Sequence, residues 1–379
     1  MSELKSKPGI GSEMSEAALG GEDPSGFSLL LSDYRLRLES QLDQFLRDQA
    51  DAAATIDEAT RELSDPLREF VARGGKRLRP ALVHFAYQAV GGLGNDRTLP
   101  VEMAVELLHT YLLIHDDIMD RAETRRGGSA AHRLFAKEHR RRGWRDGSAR
   151  HGEAAAILLG DLAHSHAVGL FLSGVADAVN GAQISRCFTE MCREVVIGQY
   201  LEMTAPLRGG LKEQDLLSIL RLKSGRYSVE RPIQLGALLG GASSHVVESL
   251  AGYGLAMGEA FQLQDDLLGV FGEREFVGKP VGGDLAEGKF TLLILAAMER
   301  ADSAQRETIL RCLQTEDPDA EEVSGVRTLV ERVGAREKIE SMVHERLERS
   351  AEALKKLDLN AEAKAFFFGL IDYLRERKA

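Results

Sequence analysis

The segment ELLHTYLLIHDDIMDRAETRRGG, residues 106–128, joins an apolar helical pattern to a cluster of acids. Apolar residues recur at steps of three or four, at Val105, Leu108 and Leu112, and the next step reaches His115–Asp116. That spacing is the period of one face of an α-helix, so we predict a helix with one continuous stripe. The stripe is apolar for most of its length and ends in carboxylates.

Three carboxylates lie at the C-terminal end of this predicted helix. Asp116 and Asp120 lie four residues apart and project from the same face, with Asp117 one step around it. Such a group repels itself unless a cation compensates it, and Mg²⁺ can be shared between one or two carboxylates and a substrate phosphate. The alternative is a solvated acidic helix end, which is the commoner case for an isolated motif of this kind. The neighbouring residues therefore decide whether a diphosphate-binding metal site is predicted.

Two basic segments flank the acids. Arg125 and Arg126 follow them at a Gly-Gly pair, and GGKRLRP precedes them with cations behind two glycines. The cations of that earlier segment are Lys76, Arg77 and Arg79. Arginine keeps its charge and grips phosphate oxygens through a planar fork, and glycine lets backbone approach a ligand closely. A single basic loop is usually solvated surface, but two beside one acidic cluster predict a second phosphate site that needs no metal.

The stretch FQLQDDLLG, residues 261–269, is an imperfect copy of HDDIMD. It keeps two acids, Asp265 and Asp266, but has Gly269 where a third would stand. We expect the two acids to suffice for a second metal cluster, with the glycine at its periphery. Asp265→Ala should then lower turnover by orders of magnitude, whereas Gly269→Asp should change it little.

The rest of the 379-residue chain alternates helix-period segments with short Gly- or Pro-marked breaks such as VGGLGND at 90–96, and strand-like alternation is scarce. Residues 1–26 mix Gly, Ser, Pro and charge without apolar periodicity, which predicts a disordered leader before one all-α domain at 27–379. No apolar run approaches the ~20 residues of a membrane span, and no signal peptide is evident. We therefore expect a soluble, cytoplasmic protein without a transmembrane segment.

Charge and cysteine content exclude other classes. The net charge of −11 repels nucleic acid, so a phosphorylated ligand should be small and met by local bases or by metal. Three cysteines without metal-ligand spacing argue against a disulfide framework and against a zinc site. Neither nucleic acid nor a structural metal is therefore an expected partner.

Seven motifs in order make the chain resemble the trans-isoprenyl diphosphate synthases, also called polyprenyl synthetases, from about Phe27 to the C-terminus. The motifs are GGKRLRP (74–80), ELLHTYLLIHDDIMDRAETRRGG (106–128), LLGDLA (158–163), GQYLEM (198–203), LKSGRYSVERP (222–232), FQLQDDLLGVFG (261–272) and GKPVGGDLAEGKFT (278–291). The resemblance implies an isoprenoid-synthase-type helical bundle around a deep central cavity. It also implies a homodimer, with the two Asp-rich motifs facing each other across the mouth of that cavity.

The resemblance further implies roles for the residues that match its motifs. Mg²⁺, as three ions and replaceable by Mn²⁺, would be held by Asp116, Asp117, Asp120, Asp265 and Asp266. Isopentenyl diphosphate would be bound by Gly75, Lys76, Arg79, His109 and Arg126. The allylic diphosphate would be contacted by Arg125, Lys223, Gln262, Lys279 and Lys289. Gln199 matches a family glutamine, whereas Glu202 replaces the usual Asp, which puts its reach in question, and Ser224 replaces the usual Thr.

The implied reaction is a head-to-tail (1′-4) condensation. Departure of the allylic diphosphate leaves a carbocation, which the double bond of isopentenyl diphosphate attacks, and the released diphosphate accepts the proton. The Asp side chains would act with three groups that carry partial negative charge, namely the carbonyl of Lys223, the hydroxyl of Ser224 and the amide of Gln262. No nucleophilic triad is needed.

The length of the product should depend on the residues below the first acids. Tyr111 and Leu112 are the fifth and fourth residues before Asp116, so they would form the floor on which the growing hydrocarbon stops. One aromatic at the fifth position resembles enzymes that stop at geranylgeranyl diphosphate (C20), with farnesyl (C15) and C25 diphosphates as alternatives.

Three more distant alternatives exist. A class I terpene cyclase also ionises an allylic diphosphate, and DDLLGVFGE at 265–273 fits its second metal motif except at Gly269, but a cyclase does not use an isopentenyl site. A non-catalytic subunit of a heteromeric prenyl synthase would be expected to have lost acids that this chain keeps. A helical protein without a ligand would need every motif to be coincidental.

Overall fold

The computed structural model describes residues 26–94, 96–208, 210–272, 282–315 and 318–377, and most of them lie in helices. The helices before the centre of the chain are α1 (Phe27–Ala54), α2 (Arg61–Ala72), α3 (Leu78–Ala89), α4 (Leu99–Met119), α5 (Ala131–Arg141), α6 (Ser148–Val175) and α7 (Gly181–Arg208). Those after it are α8 (Glu213–Leu220), α9 (Arg231–Leu239), α10 (Ser244–Phe271), α11 (Gly283–Ala286), α12 (Leu292–Arg300), α13 (Ser303–Gln314), α14 (Ala320–Arg332), α15 (Ala335–Lys355) and α16 (Ala361–Glu376). The predicted all-α class is confirmed. The predicted leader lies outside the described residues except for Gly26, so its disorder stays a prediction.

A short hairpin interrupts the helices just after the first acids. Strands β1 (Thr124–Arg125) and β2 (Gly128–Ser129) pair antiparallel, and they are the only strands among the described residues. Between them Arg126 and Gly127 both have positive φ, 50° and 72°, as the two central residues of a type I′ turn require. The Gly-Gly pair of the sequence is therefore part of a tight turn that fixes where the two adjacent arginines point.

Two long helices organise the core. Helix α4 packs against α6 and α3, and α10 packs against α15 and the segment 221–230. The predicted helix is confirmed, and Val105 and Leu108 of its stripe are fully buried, but residues 101–108 are buried on every face of the helix and Leu112 is only partly buried. Burial of this face supplies the hydrophobic free energy that holds α4, and hence its terminal acids, in place.

The chain between α8 and α9 is a π-helix, Arg221–Glu230, and glycines on both sides let it pack backbone to backbone. A Cβ added at Gly198 of α7 would lie 2.5 Å from the nitrogen of Lys223, and one at Gly258 of α10 would lie 2.4 Å from the carbonyl oxygen of Gly225. The wide turn is thus clamped between α7 and α10, and π-helical turns often occur at functional sites. The sequence analysis did not predict this turn.

Helix α6 is the one described helix that is long and apolar enough to span a membrane by length and composition. It packs extensively against α4 and α5, which is how a core helix of a bundle behaves. Much of its outer face is nevertheless exposed, including Ile157, Leu158 and Leu172. An apolar face of this size is a candidate protein–protein surface.

Candidate active site

The two acidic segments meet at one cavity with two adjoining lobes. We call the first the acid-lined lobe, since Asp120, Glu202 and Asp266 border it, and its volume is about 360 Å³. The second, the apolar lobe, has a volume of about 540 Å³ and begins at Asp116 and Asp265. The lobes share Gln199, Lys223, Ser224 and Gln262, together with Met119 and Met203. The ends of α4 and α10 therefore place both acidic clusters on one continuous space.

In the first cluster, Asp116 and Asp120 reach the cavity. Asp116 accepts a hydrogen bond of 2.7 Å from Nε2 of Gln199, and the ammonium of Lys223 lies 3.8 Å from it. Burial, and then the neighbouring Asp116 carboxylate, raise the pKa of Asp120 to about 6. Burial and the neighbouring carboxylate therefore disfavour the charged form of Asp120, and a bound cation would offset both effects.

Asp117 is not brought to the cavity with the other two. It is fully buried and accepts a hydrogen bond of 2.8 Å from Nε of Arg125, and its Oδ2 atom has no hydrogen-bond partner within the described chain. Burial raises the pKa of Asp117 although Arg125 opposes the rise. The sequence grouped Asp117 with the metal ligands and Arg125 with the diphosphate contacts, whereas here the two are bound to each other.

In the second cluster, both acids already have partners. The guanidinium of Arg377, at the end of α16, lies 2.6 Å from Asp265, and Nε2 of Gln262 donates to Asp266 at 2.8 Å. Burial raises the pKa of Asp266 well above its usual range against that hydrogen bond, and the Asp284 carboxylate adds to the rise. Gln262 therefore lies beside the acid pair, as predicted. Asp284 is an additional acid nearby that was not predicted from the sequence.

Gly269 is not open space at the edge of the cluster. A Cβ built on it would lie 2.0 Å from Oδ2 and 2.4 Å from Cγ of Asp284, which belongs to the short helix α11. No side chain fits there without displacing that carboxylate. We expected Gly269→Asp to change turnover little because residue 269 would lie at the open edge of the second acidic cluster. That premise is wrong.

Two lysines carry positive charge into the acid-lined lobe. Lys223 forms a short ion pair with Glu202, and the Nζ atom of Lys289 lies 2.7 Å from Glu287 and 3.5 Å from Asp284. Burial opposes the charged form of both lysines, but the pKa of each is raised because attraction to the nearby carboxylates outweighs it. Glu202 thus reaches the site despite replacing the usual Asp. Lys279, predicted beside them, lies outside the described residues.

The predicted basic site is formed by residues from four segments. The Nη1 atom of Arg79 lies 3.2 Å from Nε2 of His109, and the Nδ1 atom of His109 lies 2.9 Å from the hydroxyl of Tyr227. Burial, and then Arg79 and the other arginines, lower the pKa of His109 well below its usual range, so the ring is neutral. Arginine can only donate, so Nε2 accepts from it and Nδ1 carries the proton that it donates to Tyr227. Nη2 of Arg79 also donates to Ser228 at 2.7 Å.

The remaining basic residues divide into two kinds. A Cβ at Gly75, whose φ is +147°, would lie 2.9 Å from Nη2 of Arg126, so the glycine makes room for that guanidinium. Lys76 donates to the hydroxyl of Tyr373 at 2.8 Å. Arg77 instead turns inward and forms a buried ion pair with Glu106. The sequence treated Arg77 as one of three cations gathered for phosphate, and that interpretation is wrong because the side chain is structural.

The predicted floor residues do border the apolar lobe. Tyr111 and Leu112 line it below Asp116. The ring of Tyr111 packs 4.7 Å from that of His115 and 4.9 Å from that of His164. Both histidines therefore pack against the tyrosine ring, and His115 also lines the lobe itself. Neither contact was predicted from the sequence.

The donor set fits divalent ions shared with a substrate. Within the described ranges, no three Asp, Glu, His or Cys side chains converge closely enough to enclose an ion alone. Each lobe nevertheless receives carboxylates from both clusters. Because Mg²⁺ is typically held by one or two carboxylates plus phosphate oxygens, this separation favours ions that a diphosphate bridges over a cage made by protein alone.

Comparison with known proteins gives consistent matches. The family model described as Polyprenyl synthetase matches residues 60–331. A short chain isoprenyl diphosphate synthase from Methanothermobacter thermautotrophicus is 33% identical over 309 residues, covering 81% of this chain and 88% of that protein. A geranylgeranyl diphosphate synthase from Methanosarcina mazei is 37% identical over 271 residues, covering 70% of this chain and 78% of that protein. The crystal structure of geranylgeranyl pyrophosphate synthase from Corynebacterium glutamicum, complexed with isoprenyl diphosphate and magnesium, has a TM-score of 0.87 at 30% identity and covers 92% of this chain and 99% of that one.

Proposed function

This chain belongs to the polyprenyl synthetase family, and from that premise we propose that it is a Mg²⁺-dependent trans-prenyltransferase that joins isopentenyl diphosphate to allylic diphosphates. The observation that carries the proposal is the shared cavity, which has carboxylates of two helices at its mouth, a cluster of arginines beside it and an apolar lobe beneath. The product proposed is the C20 geranylgeranyl diphosphate, with C15 and C25 as neighbours.

The acids Asp116, Asp120, Asp265 and Asp266 would hold the metal, as three Mg²⁺ ions or Mn²⁺ in their place. Bound metal would neutralise the charge that accumulates on the departing diphosphate. Asp117 is better placed to position Arg125 than to bind metal directly, because their ion pair fixes the side chain of this hairpin arginine. Lys223 and Lys289 border the same lobe and would add fixed positive charge for the allylic diphosphate.

The basic site would bind isopentenyl diphosphate without metal. Arg79, Arg126 and Lys76 offer the cations, and Gly75 allows backbone to approach. Neutral His109 is hydrogen-bonded to both Arg79 and Tyr227 and so holds the two side chains in place, without adding a charge that would repel the guanidinium. This arrangement supports a division between a metal-bound allylic site and a metal-free second site.

Three groups of the chain would face the allylic cation. Ser224 and Gln262 line both lobes, and the π-helical turn places the backbone of Lys223 beside them. Since the amide nitrogen of Gln262 is engaged by Asp266, its carbonyl oxygen is the atom available to the cation. Oxygen atoms of this kind stabilise positive charge without forming a covalent adduct.

A direct assay tests the activity. The purified chain is incubated with Mg²⁺, labelled isopentenyl diphosphate and each of the C5, C10 and C15 primers, and the dephosphorylated products are sized. We expect C20 alcohol from every primer, and an Asp116→Asn variant should abolish it. Cyclic hydrocarbon formed without isopentenyl diphosphate would indicate a cyclase instead, and no product under any condition would indicate a non-catalytic subunit.

We also propose a homodimer formed through α6 and α7. Beyond the exposed residues of α6, helix α7 exposes Val196, Tyr200 and Met203, which at the same time line the apolar lobe. A second copy on this face would cover apolar surface and close the wall of the cavity. Light scattering should give the mass of two chains, and Leu158→Glu should shift it toward one. A single-chain mass for the parent would contradict the proposal.

A further inference from the structure

The end of α5 and the connection to α6 form a basic segment in an acidic chain. We call residues 137–150, with the sequence KEHRRRGWRDGSAR, the basic loop. It holds six Lys or Arg residues and two acids, Glu138 and Asp146, whereas the whole chain has a net charge of −11. A local excess of cations on an acidic protein attracts an anionic partner to that place only.

Hydrogen bonds at the end of α5 hold the basic loop in one conformation. The N–H of Gly143, whose φ is 64°, donates to the carbonyl of Arg140 at 3.1 Å. The N–H of Trp144 donates to the carbonyl of His139 at 3.3 Å, which completes the Schellman pattern common at helix ends. The Nε2 atom of His139 also lies 3.0 Å from the carbonyl oxygen of Arg145. The backbone that carries Trp144 is therefore already ordered.

Trp144 is the single tryptophan of the chain, and it is 43% exposed. Its ring packs edge-on against the rings of His139, at 5.8 Å, and His151, at 5.4 Å. The guanidinium of Arg142 lies 4.8 Å from the ring centre. Tryptophan is enriched where a protein meets lipid headgroups, because its ring is amphipathic, and arginine beside it can bind lipid phosphate. The loop thus offers apolar surface and positive charge together.

Half of the cations in the basic loop have no carboxylate beside them. Lys137, Arg140 and Arg145 are exposed, and within the described ranges none of them lies within 4.0 Å of a carboxylate oxygen. Arg140 donates to the hydroxyl of Ser148 at 3.1 Å, which leaves its charge uncompensated. The other three cations form the ion pairs Arg141–Glu138, Arg142–Glu62 and Arg150–Glu153.

From the uncompensated charge and the exposed ring we propose that the basic loop docks on an anionic lipid bilayer. Trp144 would enter the headgroup region, and Lys137, Arg140 and Arg145 would lie against lipid phosphates. The ring makes a bilayer the favoured polyanion, because burying it gains free energy where an apolar layer lies behind the charges. The docking goes beyond the proposed function and does not depend on it. The competing explanation is a solvated loop whose arginines only complement the carbonyl end of α5.

Sedimentation with large unilamellar vesicles tests the docking, and the emission of Trp144 reports on it because no other tryptophan contributes. The full chain is mixed with vesicles of phosphatidylcholine alone, or of equal parts phosphatidylglycerol and phosphatidylcholine. At about 50 mM salt we expect it to bind only the anionic vesicles, with a blue shift of the emission. At about 500 mM salt we expect release, because salt screens the attraction.

Neutral variants test the role of the uncompensated cations. Replacing Lys137, Arg140 and Arg145 together by Gln should weaken binding to the anionic vesicles by about a hundredfold, since each cation near such a surface contributes about fivefold. The matched control changes net charge equally at three exposed lysines outside the loop, and should bind like the parent. Its substitutions are Lys355→Gln, Lys356→Gln and Lys364→Gln.

Trp144→Ala tests the role of the ring. It should weaken binding to the anionic vesicles by about fivefold, measured by sedimentation, because only the exposed part of the side chain is left to bury. Circular dichroism checks that each variant is folded.

The proposal is overturned if the parent does not sediment with anionic vesicles, if the triple variant of the loop sediments like the parent, or if binding leaves the emission of Trp144 unchanged. A single-stranded oligonucleotide that displaces the chain from the vesicles and itself shifts this emission would assign the loop to nucleic acid instead. Light scattering without lipid addresses a second copy as the occupant. If Trp144→Ala lowers the mass of the parent to that of one chain, the loop is an interface between copies and the proposal fails.

Discussion

Tyr111→Ala is expected to lengthen the product. Tyr111 lines the apolar lobe below Asp116, and its ring packs against the rings of His115 and His164. In the proposed function, its side chain would close the path along which the hydrocarbon of a diphosphate held at the acids grows. The acids, the lysines and the basic site are not altered by the substitution.

The size of the change follows from the atoms removed. Replacing tyrosine by alanine deletes about seven heavy atoms, slightly more than the five carbons of one isoprene unit, so the lobe should accept about one further unit. Burying about five carbons at ~0.8 kcal/mol each would favour occupying that space by ~4 kcal/mol. We therefore expect the main product to shift from C20 to C25 while total turnover stays near that of the parent.

The assay is chromatography of the dephosphorylated products at equal protein and substrate concentrations. Tyr111→Phe is the control, because it keeps the ring and removes only the hydroxyl, so it should still give C20. A Tyr111→Ala variant that is folded, active and gives the product distribution of the parent would refute the assignment of Tyr111 as the floor.

Three further outcomes are expected. Asp265→Ala should lower turnover by orders of magnitude with intact folding, measured as kcat at saturating Mg²⁺; a change of less than tenfold would count against it as a metal ligand. Mg²⁺ affinity should fall as the pH drops through about 6, because protonated Asp120 must lose its proton to bind metal, and the affinity should level off above that pH. Calorimetry from pH 5 to 8 with an unreactive thiolodiphosphate analogue of the allylic substrate measures this affinity, and a flat profile would contradict the prediction. Arg77→Met should destabilise the fold by about 3 kcal/mol in urea unfolding, because it removes the nearer of the two cations on buried Glu106 and leaves only Arg126, at 3.8 Å. A large rise in KM for isopentenyl diphosphate at unchanged stability would instead place Arg77 in the substrate site.

Features that depend on neighbours in sequence were predictable. The period of apolar residues in α4 and the four-residue spacing of Asp116 and Asp120 are local properties of a helix, and both were predicted correctly. The same spacing rule could not show that Asp117 turns into the protein toward Arg125, because that depends on the hairpin that follows the helix.

Features that depend on distant segments were not predictable. Arg77 looks like its neighbours Lys76 and Arg79, but its own φ of 50°, just before α3, turns it toward Glu106 on another helix. The π-helical turn requires glycines on two other helices, and a single sequence does not show which glycines meet it. Asp284 is fifteen residues beyond Gly269, so only the folded chain shows that one occupies the space left by the other.

The C-terminal end of α16 contacts residues of both proposed substrate sites, since Tyr373 accepts a hydrogen bond from Lys76 and Arg377, just after the helix, pairs with Asp265. Additions to the C-terminal end of the chain would therefore act close to two proposed binding sites at once. The start of α1 lies nearby as well, since the ring of Phe27 is 5.8 Å from that of Tyr373. An affinity tag placed after residue 379 would be expected to disturb the binding of metal and of isopentenyl diphosphate together. Proteins for the assays above are best purified with a removable tag ahead of residue 1.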